Sequence, residues 1–308
     1  MFTVDDHKKI LLVVAGPTAV GKTDLAIRLA AHFATDIISA DSRQFYKEMR
    51  IGTAVPTRNQ LKQVPHHFIQ HISIEKEYDV ATYEKEVLEK LHQLFLTKKI
   101  VVITGGSGLY IDAVCLGIDT IPETKPETRL KVSDILNKEG LEGLQKRLQK
   151  IDPQYFEVVD QQNPRRLQRA LEVYYQTGKT YSFFRQRQPV PRDFDVIWIG
   201  LRRDRTDLIN RINLRVEGMI ADGLFEEAEK LFNKRHLNAL NTVGYKEIFN
   251  YLKGNGTIEE AVEQIKIKTR QYAKRQMTWF NKNNNYQWFH PENFEAMVAY
   301  LHLKMKME

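Results

Sequence analysis

The chain has 308 residues, of which 42% are hydrophobic and 28% charged, and its formal net charge is +7. A single cysteine, Cys115, excludes an intrachain disulfide and a thiolate metal cluster, and no apolar run reaches the length of a membrane span. We therefore expect a cytoplasmic globular protein of one large or two modest domains, and the positive charge favours a polyanionic partner.

The first predicted strand, Ile10 to Ala15, leads into the sequence GPTAVGKT, and an apparent helix follows from Asp24 to Phe33. The sequence fits the phosphate-binding pattern G-x-x-x-x-G-K-[ST] at each required position and in the required strand, loop and helix context. Its glycines let backbone N–H groups converge on phosphate oxygens, and the helix dipole adds to the attraction. Lys22 supplies a positive charge for the terminal phosphate, and the Thr23 hydroxyl is placed to ligate a phosphate-bound Mg²⁺. The predicted phosphate-binding residues are Gly16, Pro17, Thr18, Ala19, Val20, Gly21, Lys22 and Thr23.

A second predicted strand, Asp36 to Ala40, ends directly on Asp41 in the sequence DSRQFY. Ligands of open α/β sheets gather at the carboxyl ends of the strands, so Asp41 is expected to face the phosphate-binding loop. A strand-end aspartate can equally cap a helix or a turn, and this second role stays open at this point.

The segment from Gly52 to His71 has two prolines and no clear periodicity, which is typical of an active-site loop or a covering flap. It contains the paired histidines His66 and His67. No third ligand lies nearby at helical spacing, so structural or substrate-contact roles are favoured over a metal site.

A third predicted strand, Ile100 to Thr104, follows an amphipathic helix from Asp79 to Phe95 and closes on TGGSGLY. Phosphate-loop enzymes that hydrolyse nucleotides usually have an acidic residue at the end of such a strand to hold Mg²⁺. Here three glycines and Ser107 take that place. They allow a close approach of backbone and hydroxyl to a ligand, but they do not build the usual metal site.

The pattern changes between about Pro122 and Pro191, where charged helical stretches replace buried strands. This indicates a helical domain, residues 122–191, inserted into a catalytic core of residues 1–121 and 192–308. The predicted fold class is therefore α/β: a P-loop-type parallel sheet flanked by helices, with an inserted all-helical domain.

A helix of the insertion begins at Asn163 with proline at its first position and ends near Gly178. Arg165, Arg166 and Arg169 lie on one face of this helix. Such a face is either a solvated surface or a contact with nucleic-acid phosphates.

The sheet resumes with Asp195 to Leu201, and the next helix, from about Arg205 to Asp222, carries Arg211 and Arg215 one turn apart. Both lie close to the inner side of the helix. Arginines that border an apolar stripe are costly unless they are paired or face a ligand, so both are candidates for phosphate binding.

The helix from Ile258 to Phe280 carries two stripes of basic residues. One stripe is formed by Lys266, Arg270 and Lys274, and the other by Lys268 and Arg275. Because Tyr272, Gln276 and Trp279 are interleaved with these stripes, the helix suits a nucleic-acid backbone and unstacked bases.

The ordered motifs resemble those of the tRNA dimethylallyltransferase family, also called the tRNA isopentenylpyrophosphate transferase family. They are GPTAVGKT, DSRQFY, GGSGLY, NPRRLQRALEV, TVGYKE and TRQYAKRQMTWF, and they extend from Ile10 to about Phe280. One departure is Ser107, where the family usually has threonine. The hydroxyl is retained, so the role is expected to be retained as well.

The resemblance implies that the loop holds the diphosphate of dimethylallyl diphosphate rather than ATP. The residues implied in catalysis are Asp41, Ser107, Lys22, Arg211 and Arg215. The cations, together with Thr23 and Mg²⁺, would stabilise the departing diphosphate, with either of the two arginines in contact with it. Asp41 would accept a proton from the exocyclic amine of an adenine beside the anticodon, and Ser107 would lie near the bridging oxygen. The adenine must then leave its stack.

By the same resemblance, tRNA would contact the DSRQFY and GGSGLY motifs, the insertion helix, the TVGYKE motif and the last basic helix. The residues concerned are Asp41, Ser42, Arg43, Gln44, Ser107, Arg165, Arg166, Leu167, Gln168, Arg169, Gly244, Tyr245, Lys246, Arg270, Lys274, Arg275, Gln276 and Trp279. The expected partners are tRNA and dimethylallyl diphosphate, and the expected cofactor is Mg²⁺. Neither a membrane nor an obligate protein partner is expected.

Two hypotheses from other classes remain. A small-molecule kinase using ATP shares the loop, but the missing acidic strand end and the distant basic stripes disfavour it. A non-catalytic, nucleotide-regulated RNA-binding protein shares the basic surface, but the convergence of Asp41 and Ser107 on the phosphate site disfavours it.

Overall fold

A computed structural model describes residues 9–186 and 188–307 of the chain. The chain divides into two compact units, one formed by the described residues up to Cys115 together with those from Arg192 onward, and the other by Leu116–Pro191. The sequence placed the first boundary a few residues later, at 122. No helix among the described residues is long and apolar enough to cross a membrane.

The first unit is built on six parallel strands in the order β3-β2-β4-β1-β5-β6. The strands are β1 (Ile10–Ala15), β2 (Ile37–Ser39), β3 (His66–His67), β4 (Ile100–Gly105), β5 (Asp195–Leu201) and β6 (Gln287–Phe289). Every residue of β1 is buried, as expected of a central parallel strand with helices on both faces. Its residues alternate between two apolar layers, with Leu11, Val13 and Ala15 in one and Ile10, Leu12 and Val14 in the other.

Nine helices of the first unit's described residues flank this sheet. They are α1 (Lys22–His32), α2 (Arg58–Gln63), α3 (Val80–Leu94) and α4 (Gly108–Leu116) before the second unit, and α9 (Arg205–Ala221), α10 (Leu224–Leu231), α11 (Tyr245–Leu252), α12 (Ile258–Phe280) and α13 (Phe294–Met307) after it. Short 3₁₀ turns cover Phe232–Lys234 and Asn238–Leu240. The α12 helix begins with a capping box, in which Thr257 and Glu260 each accept a hydrogen bond from the backbone N–H of the other.

The second unit is all-helical over its described residues. It comprises α5 (Pro126–Ile151), α6 (Pro153–Val158), α7 (Pro164–Thr177) and α8 (Tyr181–Phe184). The α5 helix is interrupted at Gly140, whose φ of 67° is not helical. As predicted, α7 is capped by the Asn163 side chain, and its end at Gly178 is left-handed with a φ of 73°. The small core of this unit includes Leu144, Leu148, Leu167 and Leu171.

The predicted fold class is confirmed: the sheet is parallel, helices flank it, and an all-helical unit interrupts the chain. The two edge strands, β3 and β6, were not predicted. They have only two and three residues, too few for a hydrophobic pattern to identify.

The turn after β4 depends on a glycine. A Cβ built on Gly105 would lie 2.1 Å from the carbonyl oxygen of Ala40, at the end of the neighbouring strand. Because that contact is with backbone, neither side can move away easily. We expect Gly105→Ala to lower the free energy of unfolding by about 1–3 kcal/mol, the usual cost of overpacking.

The matched control is Gly218→Ala in α9, where nothing lies within 4 Å of the added atom. This variant should raise the free energy of unfolding by roughly 0.5–1 kcal/mol, because alanine is the better helix former. Urea unfolding followed by circular dichroism measures both. Equal midpoints for the two variants would contradict the close approach at Gly105.

Candidate active site

The phosphate loop, Gly16 to Thr23, connects β1 to the start of α1. Its backbone is left-handed at Ala19 and Gly21, with φ values of 64° and 108°. A Cβ on Gly16 would lie 2.8 Å from the carbonyl oxygen of Leu201 in β5, so a side chain does not fit there. The ammonium group of Lys22 folds back over the loop and donates to the carbonyl oxygens of Gly16 at 2.9 Å and Pro17 at 2.7 Å.

Two arginines also donate to the phosphate loop. Arg211 Nε donates to the Ala19 oxygen at 2.9 Å, and Arg203 Nε donates to the Val20 oxygen at 3.0 Å. The Arg203 side chain is only 9% exposed and pairs with Asp207 at 2.8 Å. Arg203 is not among the site residues predicted from the sequence. The available signal was its position just after β5, the same strand-end position that identified Asp41.

Arg215 lies deeper and interacts with both Lys22 and Asp41. Burial and, to a smaller extent, the charge of Arg215 lower the pKa of Lys22 from 10.5 to about 7, and the charge of Asp41 partly opposes them. Burial also lowers the pKa of Arg215, against the opposing charge of Asp41. The structure therefore brings both predicted arginines to the site, with Arg211 on the loop backbone and Arg215 among the charged side chains.

Asp41 lies at the end of β2 and lines a pocket together with Lys22 and Thr23. Its Oδ1 accepts a hydrogen bond from the backbone N–H of Arg43 at 3.0 Å, so it also caps its own turn. Both of the roles left open by the sequence are thus present in the structure.

The same pocket has an apolar wall. Among its lining residues are Ala26, Ile37, Pro56 and Ile69. Pro56 and Ile69 belong to the segment that the sequence identified as a loop or flap. A pocket that sets Lys22 and a carboxylate against an apolar wall suits an anionic compound with an apolar tail.

Ser107 is held next to the Asp41 turn. Its hydroxyl oxygen accepts from Ser42 N at 3.1 Å, and the hydroxyl donates to Ser42 Oγ at 3.2 Å. Tyr272, on α12, hydrogen-bonds to Ser107, and burial, with the charge of Asp41 adding to it, raises the pKa of this phenol to about 12. Tyr272 is thus a further site residue that the predicted site did not include.

The glycine segment, Gly105 to Gly108, has a packing role that the sequence did not predict, while Gly105 also lines the pocket, as the sequence expectation of a close approach to a ligand requires. A Cβ on Gly106 would lie 2.2 Å from Gln276 Nε2, and one on Gly108 would lie 2.2 Å from Trp279 Cδ1. The indole N–H of Trp279 donates to Asp112 Oδ2 at 2.8 Å. These glycines allow α12 to pack directly on the end of β4.

Gln276 does not lie on a tRNA-facing surface as predicted, because its side chain is 6% exposed and both ends of its amide are bonded within the protein. Its Nε2 donates to the Gly106 oxygen at 2.8 Å, and its Oε1 accepts from Thr18 N at 2.8 Å. Gln276 therefore ties the phosphate loop to the glycine segment.

Three other predicted tRNA contacts are also internal. Tyr245 has no exposed surface and donates to Glu227 Oε1 at 2.6 Å, and Gly244 beside it is buried. Leu167 is fully buried in the core of the second unit. These predictions differ from the structure for one reason. All consecutive residues of each motif were predicted to contact tRNA, whereas the periodicity of a helix turns some of them toward the protein core.

The remaining predicted tRNA contacts reach the surface to different extents. Arg165, Arg166, Lys246, Lys274 and Arg275 are exposed, while Ser42, Arg43, Gln44, Gln168, Arg169 and Arg270 are half-buried. Most of the half-buried polar groups are already engaged. Arg43 donates to the carbonyl oxygens of Asn238 and Ala239. Gln44 donates to the carbonyl oxygens of Thr53 and Ala54. Arg169 donates to Thr124 and the Pro122 oxygen, and Arg270 pairs with Glu263.

The paired histidines have separate environments. His66 lines the pocket, with Nδ1 2.8 Å from the Val64 oxygen, and burial lowers its pKa. His67 Nε2 lies 2.8 Å from Asp36 Oδ2. Over residues 9–186 and 188–307, no three metal-ligating side chains are grouped.

Comparison with known proteins identifies chains similar to this one. A family model for IPP transferase matches residues 44–283. The tRNA dimethylallyltransferase 1 of Bacteroides fragilis is 48% identical over 298 residues, which cover 97% of this chain and 99% of that protein.

Two solved structures are similar in fold. The full-length tRNA isopentenylpyrophosphate transferase from Bacillus halodurans has a TM-score of 0.72 and 32% identity, over 97% of this chain and 98% of that one. A eukaryotic dimethylallyltransferase, solved while acting on tRNA, has a TM-score of 0.70 and 28% identity, over 88% of this chain and 70% of that one.

The low pKa of Lys22 predicts proton uptake when an anion binds. With a pKa of about 7, Lys22 is mostly neutral at pH 8 and mostly charged at pH 6. A bound diphosphate favours the ammonium form and raises this pKa. At pH 8, binding of inorganic diphosphate should therefore take up close to one proton more in the wild-type chain than in Lys22→Met, and at pH 6 the difference should nearly vanish.

Isothermal titration calorimetry in buffers of different ionisation enthalpy measures this uptake. The same measurement on Lys22→Met gives the proton exchange of the diphosphate itself, which is subtracted from the wild-type value. Equal uptake by the two proteins at pH 8 would show that Lys22 is already charged before the anion binds.

Proposed function

The chain belongs to the IPP transferase family, and we propose that the pocket beside its phosphate loop carries out prenyl transfer to tRNA. The enzyme transfers a dimethylallyl group from dimethylallyl diphosphate to the exocyclic amine of an adenine next to the tRNA anticodon, and diphosphate is released. One observation supports this use of the pocket above all: Lys22, Asp41 and an apolar wall line the same small space.

The cations have the role of stabilising the leaving group. As the allylic C–O bond breaks, negative charge accumulates on the diphosphate, and Lys22, Arg203 and Arg211 already surround the phosphate loop. Fixed positive charges in a partly desolvated site lower the barrier because they need no reorganisation at the moment of reaction. The apolar wall holds the dimethylallyl tail.

Asp41 has the role of general base. The adenine amine attacks the allylic carbon, so a C–N bond forms while the C–O bond breaks, and one amine proton passes to the Asp41 carboxylate. Ser107 and Tyr272 lie beside Asp41 and position the reacting groups by hydrogen bonds.

Mg²⁺ fits the site as a substrate-bound ion. Thr23 lines the pocket and can offer its hydroxyl, and Mg²⁺ readily keeps several waters and substrate oxygens as ligands. When bound, it would neutralise part of the diphosphate charge. The residue of this chain that would hold it is Thr23, while Lys22 would contact phosphate oxygens of the substrate.

An ATP-dependent kinase fits this arrangement less well. Such an enzyme holds Mg²⁺ from two sides, with an acidic residue at the end of the strand beside the loop. In the described chain β4 ends in the glycine segment instead. The family also disfavours both the kinase and the non-catalytic RNA-binding protein. The proposed tRNA substrate supports a cytoplasmic location.

The direct test incubates the chain with dimethylallyl diphosphate, Mg²⁺ and unmodified tRNA, without ATP, and measures the nucleosides by mass spectrometry. We expect prenylated adenosine from the wild-type chain. Lys22→Ala should lose most activity while folding normally, because a loop lysine that donates only to carbonyl groups contributes little to stability. Steady ATP turnover that depends on Lys22, or transfer that requires ATP, would move the assignment to a kinase.

The role of Asp41 is tested in single turnovers. Asp41→Asn keeps the hydrogen bond from the Arg43 N–H but loses the basic oxygen, so transfer should slow by at least about a hundredfold while both substrates still bind. If substrate binding collapsed and the bound complex reacted at the normal rate, Asp41 would be a structural residue only.

The exposed cations of α12 should contact tRNA phosphates. Lys274 and Arg275 are exposed and form no ion pair within the described residues, whereas Lys266 pairs with Glu217 at 2.6 Å. Each phosphate contact that is lost should flatten the plot of log affinity against log salt by about 0.7 to 0.9. Lys274→Gln and Arg275→Gln should each do so.

The matched control is Lys266→Gln, from the same helix, which should leave the slope nearly unchanged because its ammonium is already paired. Filter binding of tRNA at several salt concentrations measures all three variants. If the paired and the unpaired lysine had equal effects, α12 would contribute only general positive charge.

A further inference from the structure

We propose that Gln276 limits the phosphate site to two phosphates, so that it determines specificity for a diphosphate over a triphosphate. The proposal rests on the proposed diphosphate function of the phosphate loop. It adds the residue that sets the length of the phosphate chain.

The Gln276 amide spans the gap between the phosphate loop and the glycine segment. Its oxygen accepts from Thr18 N, and its nitrogen donates to the Gly106 oxygen, each at 2.8 Å. The side chain is 6% exposed. It thus fills interior space at the end of two neighbouring strands, since Ala15 of β1 pairs with Gly105 of β4.

This space is where a triphosphate would need room. In phosphate-loop kinases and ATPases, the terminal phosphate lies between the loop lysine and the residues that close the strand beside the loop. Here a Cβ built on Gly106 would lie 2.2 Å from Gln276 Nε2 and 3.9 Å from Lys22 Nζ. The Gln276 amide and the Lys22 ammonium group therefore both lie close to Gly106, just beyond the end of β4.

A third phosphate would meet two obstacles there. The main obstacle is steric, because the phosphate would have to displace the Gln276 side chain, and with it two buried hydrogen bonds, from space that the protein already fills. The phosphate would also approach the amide oxygen, which is an acceptor and cannot donate to an anion. A diphosphate can bind the N–H groups at the start of α1 and Lys22 without disturbing Gln276.

Gln276 has little freedom to move aside, because the neighbouring turns of α12 are fixed. Ala273 and Phe280 are 2% and 1% exposed. Tyr272 hydrogen-bonds to Ser107, and Trp279 to Asp112. The helix therefore holds the amide in place from both sides.

The test compares the affinities of the full chain for inorganic diphosphate and inorganic triphosphate, with Mg²⁺, by isothermal titration calorimetry. Charge alone would favour the more negative triphosphate. We expect the wild-type chain to bind diphosphate at least about tenfold more tightly, and Gln276→Ala to reduce that ratio about tenfold by admitting the triphosphate. Gln271→Ala, an exposed position on the same helix, is the control and should keep the wild-type ratio.

A second variant separates the effect of the side-chain volume of Gln276 from the effect of its two hydrogen bonds. Gln276→Met fills a similar volume without the two hydrogen bonds, so it should keep the preference for diphosphate within about threefold of the wild-type ratio. Thermal melts confirm that each variant is folded.

Three results would overturn the proposal. The wild-type chain could bind both anions with equal affinity, or Gln276→Ala could lose affinity for both anions by the same factor. The third is a ratio of diphosphate to triphosphate affinity that is the same in Gln276→Met as in Gln276→Ala. Prenyl transfer to tRNA by the wild-type chain, measured in parallel, reports on the proposed function separately. A chain that transfers the prenyl group but shows no preference would refute only the role of Gln276.

Discussion

The close approach of α12 to the glycine segment is the contact on which the site depends. Any Cβ on Gly106 or Gly108 would come within 2.2 Å of Gln276 or Trp279, and Gly105 is equally close to the Ala40 carbonyl group. Through these contacts the ends of β2 and β4 and the phosphate loop after β1 are held in one arrangement. Because protein interiors are packed closely enough to respond to a single added methyl group, the position of Asp41 relative to Lys22 follows from this packing.

The partly buried cationic side chains around the phosphate loop favour the binding of an anion. Lys22, Arg203 and Arg211 donate to carbonyl oxygens of the phosphate loop, and burial is the main cause of the low pKa of Lys22, about 7. Phosphate oxygens are stronger acceptors than carbonyl groups because they are charged. An anion that replaces these carbonyl contacts therefore gains stronger hydrogen bonds from donors that are already desolvated, and it restores the charge of the lysine.

The sequence predicted the parts of the site that follow from local chemistry. The phosphate loop, the strand-end position of Asp41 and the caps of α7 were identifiable because glycine angles, strand ends and helix caps each require particular residue types. It did not predict which way the polar residues of α12 point, since a glutamine at helical spacing is compatible with either face until the packing partner is known. Gln276 was therefore assigned to tRNA, and Arg203 was overlooked because its role appears only when β5 lies beside the loop.

The proposed role of Asp41 as general base is compatible with its observed contact to the backbone of its own turn. A carboxylate has two oxygens and about four acceptor positions; the Arg43 N–H uses one position on Oδ1 and fixes the orientation of the group. The amine itself is a weak acid, but as it bonds to the allylic carbon its nitrogen becomes positively charged and its protons become acidic. A carboxylate is basic enough for that later proton, so the role requires position more than unusual basicity. In the proposed reaction, the barrier then depends mainly on the departing diphosphate, and the chain's partly buried cations surround the loop that is proposed to bind it.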